Sequence, residues 1–326
     1  MNQRTADALR TVIGISPQDS DRCALAAVGA ALGCLAPPAA AARYTDAERK
    51  NLPEDLYEEH DLFFGAIRVT GNPVETFTRT MLEALRSQLD DALSVGGSLS
   101  SGDRAQLRDA FWTTFHLLWR IGVAGTPFEY AARGRPWGTD PQTGRADGAP
   151  LIRWRLGHQV FFALIQALVV TVGCLEDCLT EDADDVDGAC RLLEDATVLM
   201  TGSGASLRYA GDFTRSHYAD AVRPAMMPPR INAKFSGLQL RDHRVLLKLI
   251  HRVKPLVESP APAVEKSYGL LLDAMAAAYA AHISVCSRFG GDREPSLRTP
   301  GSRVPAVEVL QRFRDRRLGS ATPDRP

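Results

Sequence analysis

Apolar residues recur every three or four positions along almost the whole chain, and this periodicity limits the fold more than any other feature. One example is the series Leu107, Phe111, Phe115, Leu118 and Ile121, where each step is about one helical turn. The alternation of apolar and polar residues that is typical of strands between hairpin turns is hard to find. The sequence therefore predicts an all-α protein.

Three regions are expected from this pattern and from the positions of Gly and Pro. Residues 1–100 are predicted to form an N-terminal helical region that packs on a core of residues 101–290. Residues 291–326 are rich in Arg and Pro, and we expect a loosely packed arm with one short helix near Ala306. The predicted helices are residues 4–14, 20–34, 45–52, 74–95, 103–122, 153–180, 186–201, 215–223, 241–257 and 264–289.

Composition indicates where the protein works. The first residues contain no apolar run of the signal-peptide type, and the longest apolar run, residues 160–172, is shorter than the about 20 residues that span a bilayer. A net charge of −1 argues against a broad basic face for nucleic acid. Six scattered cysteines predict free thiols and not a disulfide framework. We expect a soluble, cytoplasmic protein that binds neither nucleic acid nor a membrane.

Two candidate functional residues lie near the end of the predicted core. His282 continues the helical stripe of Leu271, Met275 and Ala278, so its side chain is expected to point inward, and Cys286 follows one turn later. An inward-facing histidine is more often a hydrogen-bonded core residue, and an H-x-x-x-C pattern alone is a weak signal. The two residues gain weight only from the sequence that precedes them.

His243 lies 39 positions before His282 and follows Asp242, which we expect to cap the start of a helix. A cationic imidazole is disfavoured at a helix N-terminus, so this position predicts a neutral imidazole, the form that binds metal. The segment R-P-A-M-M-P-P at 223–229 is predicted to be extended because each proline restricts the residue before it. F-S-G follows at 235–237.

This order of motifs resembles the haem-dependent aromatic oxygenases, which are relatives of indoleamine and tryptophan dioxygenase. The similar motifs are R-P-x-M-x-P-P, F-S-G, D-H-R and H-x-x-x-C, and they fall within residues 202–290. The chain is most similar to the branch that carries a c-type haem and hydroxylates 3-methyl-L-tyrosine in the biosynthesis of saframycin-type antibiotics. The resemblance implies a helical haem-binding domain of the indoleamine/tryptophan dioxygenase type.

The resemblance also implies a role for each residue of the motifs. His282 would be the proximal iron ligand, Cys286 would form a thioether to a haem vinyl group, and His243 would be the second axial ligand of the resting state. An iron with two axial histidines is closed to an oxidant, so one histidine must leave during turnover. We expect His243 to leave, because it starts a helix, and His282 to stay, because it lies in the middle of one.

The reaction implied by the resemblance is hydroxylation of 3-methyl-L-tyrosine or L-tyrosine ortho to the phenol oxygen. Hydrogen peroxide (or O2) would be the oxidant, acting through a high-valent iron–oxo species. Such chemistry needs a group that accepts and returns a proton. The candidates are the displaced His243, His116 in an aromatic-rich segment, and His158 at the start of the most apolar helix. His60 and His251 are predicted to lie at the surface.

Anionic groups of the substrate or the haem need partners as well. The segment T-G-S-G-A-S at 201–206 is predicted to be a flexible loop whose N–H groups and Ser203 hydroxyl suit a propionate or a carboxylate, although a plain helix–helix connection fits equally. Arg208 and Arg223 are candidates to clamp a propionate or the carboxylate of an amino acid.

Other functions stay open at this point. One is a haem oxygenase that acts on an indole such as tryptophan, and another is a bis-histidine haem protein without catalytic activity. A third is a helical protein without haem, in which the two histidines and Cys286 belong to the core or to an incomplete zinc site. A homodimer is a candidate assembly.

Overall fold

The computed structural model of the chain describes residues 1–15, 20–36, 60–61, 63–66, 72–122, 150–182, 184–228, 240–258, 261–295 and 302–318. No strand occurs in these ranges, and the all-α prediction is confirmed. A short segment of consecutive helical turns combines Arg215–His217, the π-helical turn Tyr218–Val222 and Arg223–Ala225. The long helices are α1 (Gln3–Ile13), α2 (Asp21–Cys34), α3 (Pro73–Ser94), α4 (Ser101–Gly122), α5 (Pro150–Glu181), α6 (Val186–Ala210), α7 (Arg241–Val257), α8 (Pro262–Arg288) and α9 (Ala306–Leu318).

The first three helices begin where a short polar side chain can accept a hydrogen bond from the free backbone N–H groups of the first turn. Asn2, Ser20 and Asn72 cap α1, α2 and α3 in this way. Pro73 then occupies the first position of α3, where its missing N–H costs nothing. The observed starts lie within one residue of the predicted ones, whereas the predicted helix at 45–52 lies outside the described residues.

The segment that begins at Arg223 is not extended, and that prediction was wrong. Arg223–Ala225 form a helical turn that continues the π-helical turn before it. Pro224 has no N–H to donate, and the N–H of Arg223 bonds to the carbonyl oxygen of Tyr218, five residues back. The φ angle that proline imposes is also that of a helix, so proline at this position does not exclude one. Pro229 and the F-S-G motif lie outside the described residues.

Helix α6 is the centre of the fold, since it packs against α4, α5 and α8. Residues 201–206 belong to its interior, and the prediction of a flexible loop there was wrong. Its two glycines permit close helix packing instead. A methyl group on Gly202 would overlap with Ala110 of α4, and one on Gly204 would lie 3.3 Å from the Cα of Ala278 on α8. The first contact leaves no room for any side chain larger than hydrogen.

Helices α7 and α8 stand apart and leave a space between them. α7 packs on α5, and α8 packs on α6, while α7 and α8 make few contacts with each other. Because α5 and α6 pack tightly together, they form the floor of this space. α9 packs against α8 and adds a further wall. The space carries the residues that the sequence analysis singled out.

Two of the described helices, α5 and α8, are long and apolar enough to cross a membrane, with mean hydropathies of 1.8 and 1.4. Length and composition are weak evidence for a membrane span, because the core helix of a soluble protein passes the same test. In α5 the most apolar window is 56% buried, against 28% in α8. Part of the exposed surface of α8 faces the space between α7 and α8.

A buried ion cluster fixes α3, α5 and the end of α6 to one another. The guanidinium of Arg153 on α5 lies 2.9 Å from the carboxylate of Asp91 and 3.6 Å from that of Asp212. The hydroxyl of Tyr209 also donates to Asp91, at 2.9 Å. Arg153 further donates to the carbonyl oxygens of Gly96 and Asp212. Arg153 is only 3% exposed, so this charge is held by its partners and not by water.

Replacing Arg153 by methionine is expected to lower the free energy of unfolding by about 3–5 kcal/mol, because it leaves two buried carboxylates without a cation. Urea unfolding followed by circular dichroism measures the effect. Arg86→Met is the matched control, since its ion pair with Asp90 is more than half exposed and should be worth about 1 kcal/mol or less. Equal losses in the two variants would contradict a structural role of the cluster.

Candidate active site

A cavity of about 620 Å³ occupies the space between α7 and α8. Its walls come from α5, α6, α7, α8, α9 and the π-helical segment, and most of its lining is apolar. Protein cavities that bind small molecules and cofactors range over roughly 300–1,000 Å³. The polar groups that reach the cavity include three histidines, His158, His243 and His282, together with Cys286. The structure therefore brings together, in one cavity, most of the residues predicted to be functional.

His282 and Cys286 enter the cavity from α8. They lie one helical turn apart and project from the same face. Burial lowers the pKa of His282 from its ordinary 6.5 to about 4, so the ring is neutral at pH 7. Burial also raises the pKa of the Cys286 thiol to about 11, so the sulfur carries its hydrogen. Both residues are partly exposed, and both line the cavity.

His243 enters the cavity from the first turn of α7. The helix starts at Arg241 after Leu240, so Asp242 lies inside the first turn and is not the cap that we predicted. Burial lowers the pKa of His243 to about 4, and the charge of Arg317 and the nearby His282 contribute in the same direction. The ring is therefore neutral, as the sequence predicts, and burial is the largest cause.

These residues fit a haem. Within the described part of the chain, no hydrogen bond reaches the ring of His243 or His282, so both keep a free nitrogen lone pair for a metal. The two rings approach one space from two different helices, and the space is mainly apolar. Among the described residues no cluster of three or more His, Cys, Asp or Glu side chains could hold a bare metal ion. The donor set thus suits an iron whose other ligands come from a ring and not from protein.

Comparison with known proteins identifies the family. The family model of the SfmD 3-methyl-L-tyrosine peroxygenases matches residues 1–267 of the chain. A 3-methyl-L-tyrosine peroxygenase from Streptomyces lavendulae is 35% identical over 278 residues, which cover 82% of this chain and 71% of the relative. The chain belongs to the SfmD peroxygenase family. It is therefore an enzyme, and the family predicted from the sequence is confirmed.

A solved structure agrees with this assignment. The crystal structure of reduced SfmD, soaked with sodium hydrosulfite, matches this peroxygenase-family fold with a TM-score of 0.69 and 28% sequence identity. The match covers 87% of this chain and 89% of the crystallised one. The family model ends before His282 and Cys286, so the placement of these two residues in the cavity is an independent observation from the geometry.

Of the other two histidines predicted to be catalytic, the structure brings only one to the cavity. The Nδ1 atom of His158 lies 2.7 Å from the carbonyl oxygen of Trp154, and the ring stacks on Phe64 at 4.5 Å between centroids. Because Nδ1–H donates to that carbonyl, Nε2 carries the free lone pair. His116 does not line the cavity; it lies on α4, 4% exposed, with its ring 5.1 Å from that of Trp112. Nothing in its position gives it access to a substrate there.

We expect His158 to make the peroxygenase less stable in acid. Burial lowers the pKa of His158 to about 3, whereas the unfolded chain binds this proton below about 6.5. Between these values the unfolded state holds more protons, so the free energy of unfolding falls as the pH falls through this window and is unaffected above it. Urea unfolding at pH 7 and pH 5 should show a smaller loss for His158→Asn than for the wild type. The exposed His251→Asn is the control, and equal losses in all three would contradict the expectation.

The residues predicted to bind propionates or carboxylates separate into two groups. Arg208 points away from the cavity, since it donates to Asp103 at 2.7 Å and to Gln106 at 3.0 Å on α4. Ser203 lines the cavity, but its hydroxyl donates to the carbonyl oxygen of Met200 at 2.7 Å. Arg223 lines the cavity and forms an ion pair with Glu294 at 2.9 Å. Each of the three thus already has a partner within the protein, and Arg208 does not line the cavity.

Several cavity residues were missed from the sequence. The predicted C-terminal arm contains α9, which has no fully buried residue but packs on α8 and brings Arg317 to the cavity. Tyr279 lies three residues before His282 on the same helix face, and that spacing could have identified it. The indole N–H of Trp154 is buried and makes no hydrogen bond within the described residues. Tyr218, from the π-helical turn, stacks on Phe289 at 4.4 Å.

His60 is not a surface residue, and that prediction was wrong. Its side chain is fully buried between Phe64, at 4.9 Å between ring centroids, and Phe162, at 5.3 Å. The residues next to His60 are acidic, which suggested a surface position, but Phe64 lies four positions later and Phe162 comes from a distant part of the chain. His251 is exposed, as predicted.

Proposed function

We propose that this chain is a haem-dependent peroxygenase that hydroxylates the phenol ring of 3-methyl-L-tyrosine ortho to its oxygen, with L-tyrosine as the related substrate. Hydrogen peroxide supplies the oxygen: one oxygen atom replaces the hydrogen of a ring carbon as a hydroxyl group, and the other leaves as water. The product is a catechol for natural-product biosynthesis. The observation that carries the proposal is the meeting of His243, His282 and Cys286 in one apolar cavity, within a chain of the SfmD family.

Two residues would hold the cofactor from α8. His282 offers a neutral ring nitrogen from the middle of a long helix, and Cys286 reaches the same space one turn later. When bound, haem would supply the redox-active iron that activates peroxide. We further propose that Cys286 attaches the haem covalently through a vinyl group. His282 stays in place because the helix on both sides of it fixes its backbone.

His243 would be the second residue to hold the haem iron and the one that detaches during turnover. It lies in the first turn of α7, where the backbone has helix on one side only. Once detached, its neutral imidazole would be a base inside a mainly apolar cavity, and its free nitrogen could accept the proton of peroxide and return it to the departing water. His158 offers a second base of this kind, with Nε2 as the accepting atom.

The cavity also suits the substrate ring. Phe64 and three aromatic residues of α5, Trp154, Phe161 and Phe162, line the cavity. Such a wall excludes water and favours an aromatic ring over a polar side chain. The buried indole N–H of Trp154 is a donor that the phenol oxygen could accept from. These features support a phenolic amino acid as substrate.

Product analysis tests the proposal. The purified protein, supplied with peroxide and separately with 3-methyl-L-tyrosine, L-tyrosine and L-tryptophan, is expected to form a catechol from the first substrate at the highest rate. A red protein that consumes none of the three would instead be a bis-histidine haem protein without catalytic activity. Oxidation of L-tryptophan alone would indicate an indole oxygenase. A colourless protein after expression with sufficient iron would refute the proposal that the protein binds haem.

A further inference from the structure

Arg317 brings a positive charge into the cavity from α9. Its guanidinium donates to the hydroxyl of Tyr279 and lies over the rings of Tyr279, at 5.6 Å, and Phe313, at 5.4 Å. Within the described part of the chain no Asp or Glu forms an ion pair with it. A partly buried cation surrounded by aromatic rings is costly to desolvate unless an anion meets it. This position therefore calls for an anionic ligand.

The other arginines that line the cavity do not have this property. Arg223 is paired with Glu294 at 2.9 Å, and Arg312 is paired with Glu308 at 2.5 Å. Their charges are already balanced by the protein. Arg317 is thus the cavity arginine, among the described residues, whose charge remains for a ligand.

The position of Tyr279 on α8 indicates which part of a bound haem would lie near Arg317. Tyr279, His282 and Cys286 follow one another along a single face of the helix, with Tyr279 about 4.5 Å before His282 along the axis and Cys286 about 6 Å after it. Along the axis of α8, Cys286 and the Tyr279 that bonds to Arg317 thus lie on opposite sides of His282. The vinyl groups and the propionates of a haem also lie on opposite parts of its ring. A ring held at its vinyl edge by Cys286 would direct its propionates towards Tyr279.

Arg317 shares the cavity with His243. The two side chains line it from different helices, Arg317 from α9 and His243 from the first turn of α7. A substrate bound on the His243 side of the cavity would therefore have its own charged groups within reach of Arg317. An amino acid carries a carboxylate, and each haem propionate also ends in a carboxylate.

We propose that Arg317 and Tyr279 form a carboxylate-binding site at the end of the cavity opposite to Cys286. The site takes a haem propionate or the carboxylate of the amino acid substrate. The guanidinium supplies charge-assisted hydrogen bonds, and the Tyr279 hydroxyl, which accepts from Arg317, donates its own hydrogen to the same anion. The inference rests on the proposed function and names the residues of this chain that bind its anionic groups.

The first experiment tests the haem propionate. In the Cys286→Ala background, which makes the haem exchangeable, the rate of haem transfer to an excess of apomyoglobin is measured with and without Arg317→Met. Arg317→Met is expected to speed haem loss about tenfold or more, since it removes hydrogen bonds to a charged group. Protein reconstituted with haem dimethyl ester, which has no carboxylate, should lose its haem at the same rate in both variants. Arg316→Met, an exposed neighbour on α9, is the control of equal charge.

The second experiment tests the substrate carboxylate. Isothermal titration of the holoenzyme with 3-methyl-L-tyrosine is compared with titration by 3-methyltyramine, which is the same molecule without its carboxylate. If Arg317 binds the substrate, Arg317→Met weakens the binding of 3-methyl-L-tyrosine about tenfold or more and leaves that of 3-methyltyramine unchanged. Tyr279→Phe should give a smaller effect in the same direction. Arg317→Lys, which keeps the charge but not the two-pronged donor, should fall between wild type and Arg317→Met.

A clear effect in either experiment supports the site and identifies its ligand. The site is refuted if Arg317→Met and Arg317→Lys match Arg316→Met in both experiments while circular dichroism shows that all are folded. Should Arg317→Met fail to fold, Arg317→Lys and Tyr279→Phe decide the question by the same comparison. A wild-type protein that binds no haem would refute the proposed function, and the titrations would then still test the carboxylate site alone.

Discussion

Replacing Cys286 by alanine is expected to make the haem fully extractable from the denatured chain. In the proposed attachment, Sγ bonds to one vinyl carbon and the thiol hydrogen moves to the other, so no outside oxidant is needed. Cys286 lies one turn from His282, which holds the iron, and this proximity makes its thiol the one placed to react. Intact mass under denaturing conditions should show one haem on the wild type and none on Cys286→Ala.

Cys174→Ala is the matched control for this measurement. Cys174 is also a partly buried free cysteine whose pKa is raised by burial, but it lies on α5 beside Arg120 and outside the cavity. Its replacement should leave the haem attached. A wild-type chain of unmodified mass in a red preparation would mean that the haem is held by its axial ligands alone.

Replacing His243 by alanine and replacing His282 by alanine are expected to have different effects on haem content, absorption spectrum and activity. His282→Ala should lose most of its haem when Cys286 is also replaced, because the fixed iron ligand is gone. His243→Ala should keep a full complement of haem but lose the six-coordinate absorption spectrum. Its catalytic rate should fall about 10²–10⁴-fold if His243 also moves the peroxide proton. The ratio of haem to protein, the spectrum and the turnover rate together separate these outcomes.

His251→Ala controls for the loss of a histidine on α7, since His251 lies on the same helix but is exposed. It should match the wild type in all three measurements. Equal haem loss from His243→Ala and His282→Ala, each compared in the Cys286→Ala background, would contradict the division into one fixed and one releasable ligand. A full catalytic rate in His243→Ala would mean that His158, and not His243, moves the peroxide proton. His158→Gln would then be the variant that loses activity.

The features that depend on neighbouring residues along the chain, namely helix boundaries and shared helix faces, were predicted well from the sequence. Helix α7 begins and ends at the predicted residues, and α8 differs from its prediction by two residues at the start and one at the end. His282 and Cys286 share a face because a helix repeats every 3.6 residues, whatever packs against it. The resemblance then supplied their chemistry, and the geometry placed them in one cavity with His243.

The errors fall where a distant partner decides the structure. Gly202 and Gly204 suggested a loop because glycine often interrupts helices, yet here their missing side chains admit Ala110 and Ala278. His60 is buried by Phe162, which lies about a hundred positions away in the chain. Arg208 was predicted to bind a propionate or a carboxylate of the ligand, but it donates to Asp103 on α4 instead. The domain boundaries and the cytoplasmic location stay predictions.

Helix α9 differs from the other walls of the cavity in how it is held. Among the described helices it packs mainly on α8, whereas α5, α6 and α8 each pack on at least one further helix of the bundle. Detachment of α9 would therefore open one side of the cavity without breaking the packing of the helices that carry His243, His282 and Cys286.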